Sequence, residues 1–173
     1  MNIILVGMPG AGKSTLGVLL AKALGMDYLD TDILIQQQTG RLLQEMIDSD
    51  GLEAFLAIEE RIISGLTTDN CIIATGGSVV YSEKVMNTLR SGGSVVYLDV
   101  PYEEIEKRLK NIRTRGIVIK KGSSLRDVYD ERAPLYIKYS DAVLECAHKD
   151  LESCVSELTE KIRGIMSENR PLH

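Results

Sequence analysis

Lys13 and Ser14 close an eight-residue run, Gly7-Met8-Pro9-Gly10-Ala11-Gly12-Lys13-Ser14, that fits the pattern G-x-x-x-x-G-K-[ST]. Glycines at these spacings let successive backbone N–H groups turn inward around a polyphosphate. A helix starting just after them adds further donors and a favourable dipole. In such a loop the lysine reaches the β- and γ-phosphates and the hydroxyl ligates Mg²⁺. The competing explanation is a glycine-rich turn that only joins a strand to a helix. The flanks decide between the two: residues 3–6 are four consecutive apolar residues, a short buried strand, and residues 13–24 carry a helical pattern. Strand, glycine loop and helix in that order are the setting in which the motif binds a nucleoside triphosphate.

Three more clusters carry reactive groups. Tyr28-Leu29-Asp30-Thr31-Asp32 ends the second expected strand, and ligands of open parallel sheets sit beyond the carboxyl ends of the strands. Two carboxylates one residue apart can divide labour there, one holding Mg²⁺ through its waters and the other accepting the proton of an attacking hydroxyl. Helix capping by Asp30 or Thr31 is the plainer alternative. Ala74-Thr75-Gly76-Gly77-Ser78 follows the third strand, and paired glycines let the backbone approach a ligand closely. Asp130-Glu131-Arg132-Ala133-Pro134-Leu135-Tyr136 places an arginine on a helix, either as an ion-pair partner or as an anchor for a carboxylate or phosphate.

These clusters need a frame. Strands are expected at residues 3–6, 28–30, 71–74, 95–98 and 142–144. Helices are expected at 13–24, 32–39, 42–48, 52–66, 82–90, 102–111, 125–139 and 151–166. Strand alternating with helix specifies an α/β fold, a parallel sheet covered on both faces. At 173 residues, 44% hydrophobic and 26% charged, the chain reads as one domain over residues 1–173 with a single sizeable core. No apolar run is long enough to span a membrane. Cys71, Cys146 and Cys154 lack metal-ligand spacing, and Cys71 opens an apolar run as a packed thiol. A reduced, cytoplasmic protein is expected, with no membrane partner and, for want of an exposed apolar stripe, a monomer.

The net charge of −5 argues against nucleic acid as a partner. The charge is uneven, however. Ten of the twenty Lys and Arg residues fall between Lys107 and Lys138, against three acids, Asp127, Asp130 and Glu131. Such a segment is either a solvated helix face or a surface that closes over phosphates and an acidic substrate. Within it lies the longest irregular stretch, around residues 113–124, which reads as a lid. The chain from about residue 167 is expected to fray.

In order and spacing, GMPGAGKST, YLDTD, F-x-x-x-E at Phe55 and Glu59, ATGG, YLDV at residues 97–100, RTR and ERAPLY resemble the shikimate kinases, a branch of the nucleoside-monophosphate-kinase-like P-loop proteins. The resemblance runs from about Ile3 to the C-terminal helix. It implies a three-layer P-loop kinase fold with a five-stranded parallel sheet, helices on both faces and a lid. It implies transfer of the γ-phosphoryl group of ATP, with Mg²⁺, to the 3-hydroxyl of shikimate, a small hydroxylated substrate. ATP contacts would fall to Gly10, Ala11, Gly12, Lys13, Ser14 and Thr15, with Arg108 packing on adenine and the loop around residues 147–150 closing the slot. Ser14 and Asp30 would serve the metal. Asp32 would bind the acceptor and activate its hydroxyl, together with Phe55, Gly76, Gly77 and Arg132. Arg115 would face the transferred phosphoryl group from the lid, completing a catalytic set with Lys13 and Asp32.

The chain departs from that pattern on the acceptor side. The family carries F-R-x-x-E, with its arginine anchoring the shikimate carboxylate; here Leu56 stands in its place. A charge-assisted hydrogen bond contributes roughly 1.5–3 kcal/mol, so the change would weaken binding about tenfold to a hundredfold. Arg61 does not stand in for it, because five residues along a helix rotate it by about 140° from Leu56. Ser78 replaces the third glycine of the triplet, and Gly116 replaces a proline after the lid arginine. Glu59 loses its arginine partner and is expected to turn to Arg132, or to an acceptor hydroxyl or amine. Two alternatives therefore stand beside shikimate: another small hydroxylated acceptor, or a nucleotide-binding regulatory module without phosphotransfer.

Overall fold

The computed structural model describes residues 1–110 and 122–168. Its centre is β1 (Asn2–Val6), buried along its whole length. Ile3, Ile4, Leu5 and Val6 have no solvent exposure, the pattern of a strand covered on both faces. β2 (Asp27–Asp30), β3 (Cys71–Ala74), β4 (Gly93–Asp99) and β5 (Ala142–Glu145) complete a five-stranded sheet in the order β2-β3-β1-β4-β5. All four pairings are parallel; Ile4 of β1, for example, faces Ile73 of β3 on one side and Val95 of β4 on the other. The expected α/β architecture is thus present.

Among the described residues, seven helices lie in the crossovers that parallel strands require, α1 (Lys13–Leu24), α2 (Thr31–Thr39), α3 (Leu43–Asp50), α4 (Leu52–Ser64), α5 (Glu83–Gly92), α6 (Tyr102–Lys110) and α7 (Leu125–Tyr139), and α8 (Leu151–Glu168) follows β5. Their ends follow local chemistry. α1 stops at Gly25, which takes the left-handed conformation (φ 67°). α7 starts with a capping box in which the Ser124 hydroxyl accepts from the Asp127 N–H and the Asp127 carboxylate accepts from the Ser124 N–H. The main core clusters on β1, β3 and β4 with α1, α5 and α8, while a smaller one joins Ile35, Leu43, Met46, Phe55 and Ile62 beneath α2, α3 and α4.

Most expected elements occur within a residue or two of their expected bounds. α2 begins at Thr31 rather than at residue 32, and α4 ends at Ser64, two residues early. A 3-10 turn, Val79–Tyr81, was not expected; it buries Val79 and Val80 directly after the glycines of the third cluster. Residues 113–121, the greater part of the expected lid and with it Arg115 and Gly116, lie outside the described residues.

Candidate active site

The nucleotide end of the site begins at the junction of β1 and α1. Gly12 precedes the first residue of α1 with φ at 94°, a conformation that favours glycine. It has no side chain to cap the helix, so the first-turn N–H groups face the loop. Lys13 is buried and folds back over that loop, its Nζ donating to the carbonyls of Gly7 at 2.8 Å and Met8 at 2.9 Å. The loop is closed by Ala11 N–H donating to the Met8 carbonyl at 3.0 Å. A buried ammonium beside inward-facing amides is the electrostatic arrangement that a polyphosphate requires.

Asp30 links this loop to the acceptor end. Its Oδ2 accepts from Ser14 Oγ at 2.7 Å and from Tyr28 Oη at 3.2 Å, while Oδ1 accepts from the N–H groups of Asp32 and Ile33. Asp30 therefore caps α2 and meets Ser14 with the same carboxylate, and the two readings of this residue are compatible. Burial, aided by the neighbouring Asp30 charge, pushes the Tyr28 hydroxyl up to about 12, so it stays a donor. An alcohol oxygen and a carboxylate oxygen side by side are hard donors suited to Mg²⁺, which commonly takes one or two carboxylates and draws its remaining ligands from water and phosphate. No cluster of three or more His, Cys, Asp or Glu with metal-holding geometry occurs among the described residues.

Gly10, Gly12, Lys13, Ser14, Asp30, Asp32, Phe55, Gly76, Gly77 and Arg132 all line one cavity of about 370 Å³. Ten of the residues singled out in the sequence thus meet at the carboxyl ends of β1, β2 and β3. The glycine turn is the wall between them. A Cβ on Gly76 would lie 2.8 Å from both Asp32 Oδ1 and Glu59 Oε1, and one on Gly77 would lie 2.7 Å from Pro9 Cδ and 3.1 Å from Arg132 Nη1. The backbone runs so close to these side chains that any larger residue would displace them. Arg132 is almost completely buried (1% exposed); its Nε donates to Tyr81 Oη at 3.1 Å, and its guanidinium stacks over the Tyr81 ring.

A second cavity of about 300 Å³ adjoins the loop, lined by Gly10, Ala11, Thr15 and Arg108 on one side and by Cys146 and Lys149 on the other. Arg108 is held there by hydrogen bonds to the Gly10 carbonyl at 3.1 Å and Glu104 at 3.0 Å. Of the loop around residues 147–150, Lys149 shares this cavity with Arg108.

The sequence reading was incomplete around Glu59. This residue is 3% exposed, and its hydrogen-bond partner within the chain is Ser78 rather than the expected Arg132: Ser78 Oγ donates between both carboxylate oxygens, at 3.0 and 2.9 Å. Arg132 contributes only an attractive charge. Burial, with the Asp32 charge acting in the same direction, pushes the Glu59 carboxyl up to about 7. Leu56 is half-buried against the smaller core and lines a separate groove with Glu59, Ser78 and Tyr81. Tyr81, Tyr136 and Thr31 also escaped the reading. Tyr136 Oη donates to the Gly77 carbonyl at 2.7 Å, and the Gly76 N–H donates to Thr31 Oγ1 at 3.0 Å. Only the position of Ser78 in a glycine triplet hinted at any of this.

A strand–loop–helix phosphate cradle facing a carboxylate pair and a buried arginine, beneath a five-stranded parallel sheet of this order, defines a P-loop kinase of small molecules. The shikimate kinase family model matches residues 9–163. A shikimate kinase of Pseudomonas paraeruginosa is 39% identical over 168 residues, covering 95% of this chain and 98% of that one. One from Haemophilus influenzae is 33% identical, covering 99% and 97%. Among solved structures, the shikimate kinase of Acinetobacter baumannii in complex with shikimate superposes with a TM-score of 0.84 at 29% identity, covering 99% of this chain and 95% of that one. That of Aquifex aeolicus superposes at 0.82 and 28% identity, covering 96% and 98%. The chain belongs to the shikimate kinase family, and is an ATP-dependent phosphotransferase.

Proposed function

We propose that this enzyme transfers the γ-phosphoryl group of ATP to the 3-hydroxyl of shikimate, with Mg²⁺ bound at Ser14 and Asp30. The observation that carries the reading is the single cavity in which Lys13 and Ser14 stand at one end and Asp32, Gly76, Gly77 and Arg132 at the other. Phosphoryl transfer is largely a matter of position and charge. Lys13, on the rim of the cradle, stabilises charge developing on the transferred group. Asp32 orients the acceptor hydroxyl and takes its proton. Arg132 pairs with the acceptor carboxylate, and the Gly76–Gly77 turn lets the acceptor approach the backbone. Arg108 packs against adenine, and Phe55 supplies an apolar wall. When bound, Mg²⁺ neutralises phosphate charge. The remaining cationic role is assigned to Arg115, which lies outside the described residues.

The monomer reading is supported by the large exposed apolar side chains among the described residues: Val18, Ile137, Val143 and Leu151 lie on four different elements, and Ile33 and Leu42 rim the acceptor cavity. Among the described residues no helix is long and apolar enough to cross a membrane. The three free, buried thiols fit a reducing cytoplasm. One observation favours a second acceptor, another small hydroxylated metabolite: Leu56 lines the separate groove, so Arg132 is the sole arginine among the described residues around the acceptor cavity.

An ADP-release assay with ATP and Mg²⁺, with and without shikimate, tests the reading. Shikimate-dependent turnover that vanishes in Lys13→Ala is the expected result. Turnover that shikimate does not raise, while a panel of other hydroxy acids and polyols does, would transfer the assignment to the second acceptor.

A further inference from the structure

Four hydrogen bonds tie the turn at residues 75–78 to four different parts of the molecule. The Thr75 hydroxyl donates to the Leu5 carbonyl of β1 at 2.9 Å, the Gly76 N–H to Thr31 of α2, Tyr136 of α7 to the Gly77 carbonyl, and Ser78 to Glu59 of α4. The first is made by the Thr75 side chain, and the second and third by the backbone of the turn. The fourth is made by two side chains, both nearly inaccessible to solvent, at a position where the family pattern has a glycine and no hydroxyl. Ser78 also opens the 3-10 turn Val79–Tyr81, and Tyr81 holds the Arg132 guanidinium through both its hydroxyl and its ring. A continuous path thus runs from the Glu59 carboxylate through Ser78 and one tight turn to Tyr81 and Arg132. Gly76, between its ends, packs on Asp32 and Glu59 together.

We propose that Ser78 and Glu59 act as one positioning unit for the acceptor: the hydroxyl, held between the two carboxylate oxygens, anchors the glycine turn to α4 and thereby sets where Arg132 and Asp32 stand relative to each other. The proposal rests on the reading that the acceptor is a small hydroxy acid such as shikimate, bound between those two residues. Neither Ser78 nor Glu59 takes part in the transfer itself. Their effect is confined to the acceptor end, because Ser14, Lys13 and Arg108 are fixed by bonds that do not pass through the turn.

Steady-state kinetics on Ser78→Ala, Glu59→Leu and the double variant test it. Ser78→Ala is expected to raise the shikimate KM about tenfold, the scale of one charge-assisted hydrogen bond, with the ATP KM and kcat close to those of the parent enzyme. Ser78→Thr, which keeps the hydroxyl, should restore most of the loss. Glu59→Leu should raise the same KM independently, and the double variant should be no worse than the poorer single, as for two residues acting as one unit. A Ser78→Ala enzyme with an unchanged shikimate KM, or one whose two KM values rise together, would overturn the proposal. So would single effects that multiply in the double variant. A parent enzyme without shikimate-dependent turnover would overturn the reading beneath it, and this shows before any variant is made.

Discussion

Replacing Glu59 with glutamine should make the protein more stable, and by an amount that depends on pH. The carboxyl ordinarily titrates near 4.5; burial first, and the Asp32 charge second, bring it to about 7 in the folded chain. The folded state therefore holds a proton that the unfolded chain has released across the interval between those values. Stability from this site is complete below about pH 4.5 and falls as pH rises to about 7, because the unfolded state binds fewer protons there. The difference corresponds to ~3 kcal/mol at 1.36 kcal/mol per pH unit. Glutamine keeps the shape, accepts the Ser78 hydrogen bond through its amide oxygen and does not titrate. At pH 5 the two proteins should unfold at similar urea concentrations. At pH 8 the variant should be ~3 kcal/mol more stable, or about 6–10 °C higher in melting temperature for a domain of this size. Urea denaturation at several pH values and constant ionic strength, without ligands, measures the gap. A gap that stays the same from pH 5 to pH 8.5 would refute the assignment of a buried, reluctant carboxylate to Glu59.

Leu56→Arg places a guanidinium three residues before Glu59 on the same helical face, and should lower the shikimate KM about tenfold or more; a rise would count against shikimate as the native acceptor. Arg108→Ala removes the side chain that lines the slot beside the phosphate loop, and should raise the ATP KM several-fold while the acceptor KM stays put, as read in the ADP-release assay. Asp30→Asn keeps a cap for α2 but weakens the oxygen set that faces Ser14. It should shift the Mg²⁺ concentration for half-maximal turnover upward by about tenfold or more, with little change in thermal stability; an unchanged Mg²⁺ dependence would remove Asp30 from the metal site.

The nucleotide half of the site was legible because its chemistry is local. Gly7 to Thr15 are contiguous, and the loop's turn, its lysine and the start of α1 all follow from one stretch of sequence. The sheet was legible for a related reason: a run such as Ile3–Ile4–Leu5–Val6, without polar alternation, fits a strand buried on both faces. Pro134 did not mislead, since α7 continues through it from Leu125 to Tyr139. The acceptor half is assembled across the fold. Glu59 and Ser78 are nineteen residues apart, Tyr136 and Gly77 fifty-nine. Periodicity says that Glu59 and Tyr136 lie on buried faces, but not which groups they meet there. The 3-10 turn was hidden because Val79-Val80-Tyr81 is β-branched and aromatic, a composition that suggests a strand or plain core and not the short turn whose Tyr81 meets Arg132.

Leu56 and Ser78 are better understood as one change than as two. A carboxylate as buried as Glu59 needs a donor, since an unpartnered one would cost several kcal/mol. Where the helix offers leucine in place of arginine, the nearest replacement is a hydroxyl from the turn opposite, and a glycine at position 78 has none to give. The exchange is not neutral. A serine hydroxyl carries no charge, so it stabilises the ionised carboxylate less than a guanidinium would, and burial is left to raise the carboxyl to about 7. On the proposed reading the acceptor then meets one guanidinium, that of Arg132, in place of two, while the Glu59 carboxyl, whose charge varies near neutral pH, lies behind the glycine turn. Such a site, as proposed, would still take a small acid with a hydroxyl within reach of Asp32, but would hold its carboxylate from one side only. On the proposed reading the substituted leucine therefore alters how firmly the acceptor is held, while Lys13, Ser14, Asp30 and Asp32, the residues assigned to the transfer, share one cavity.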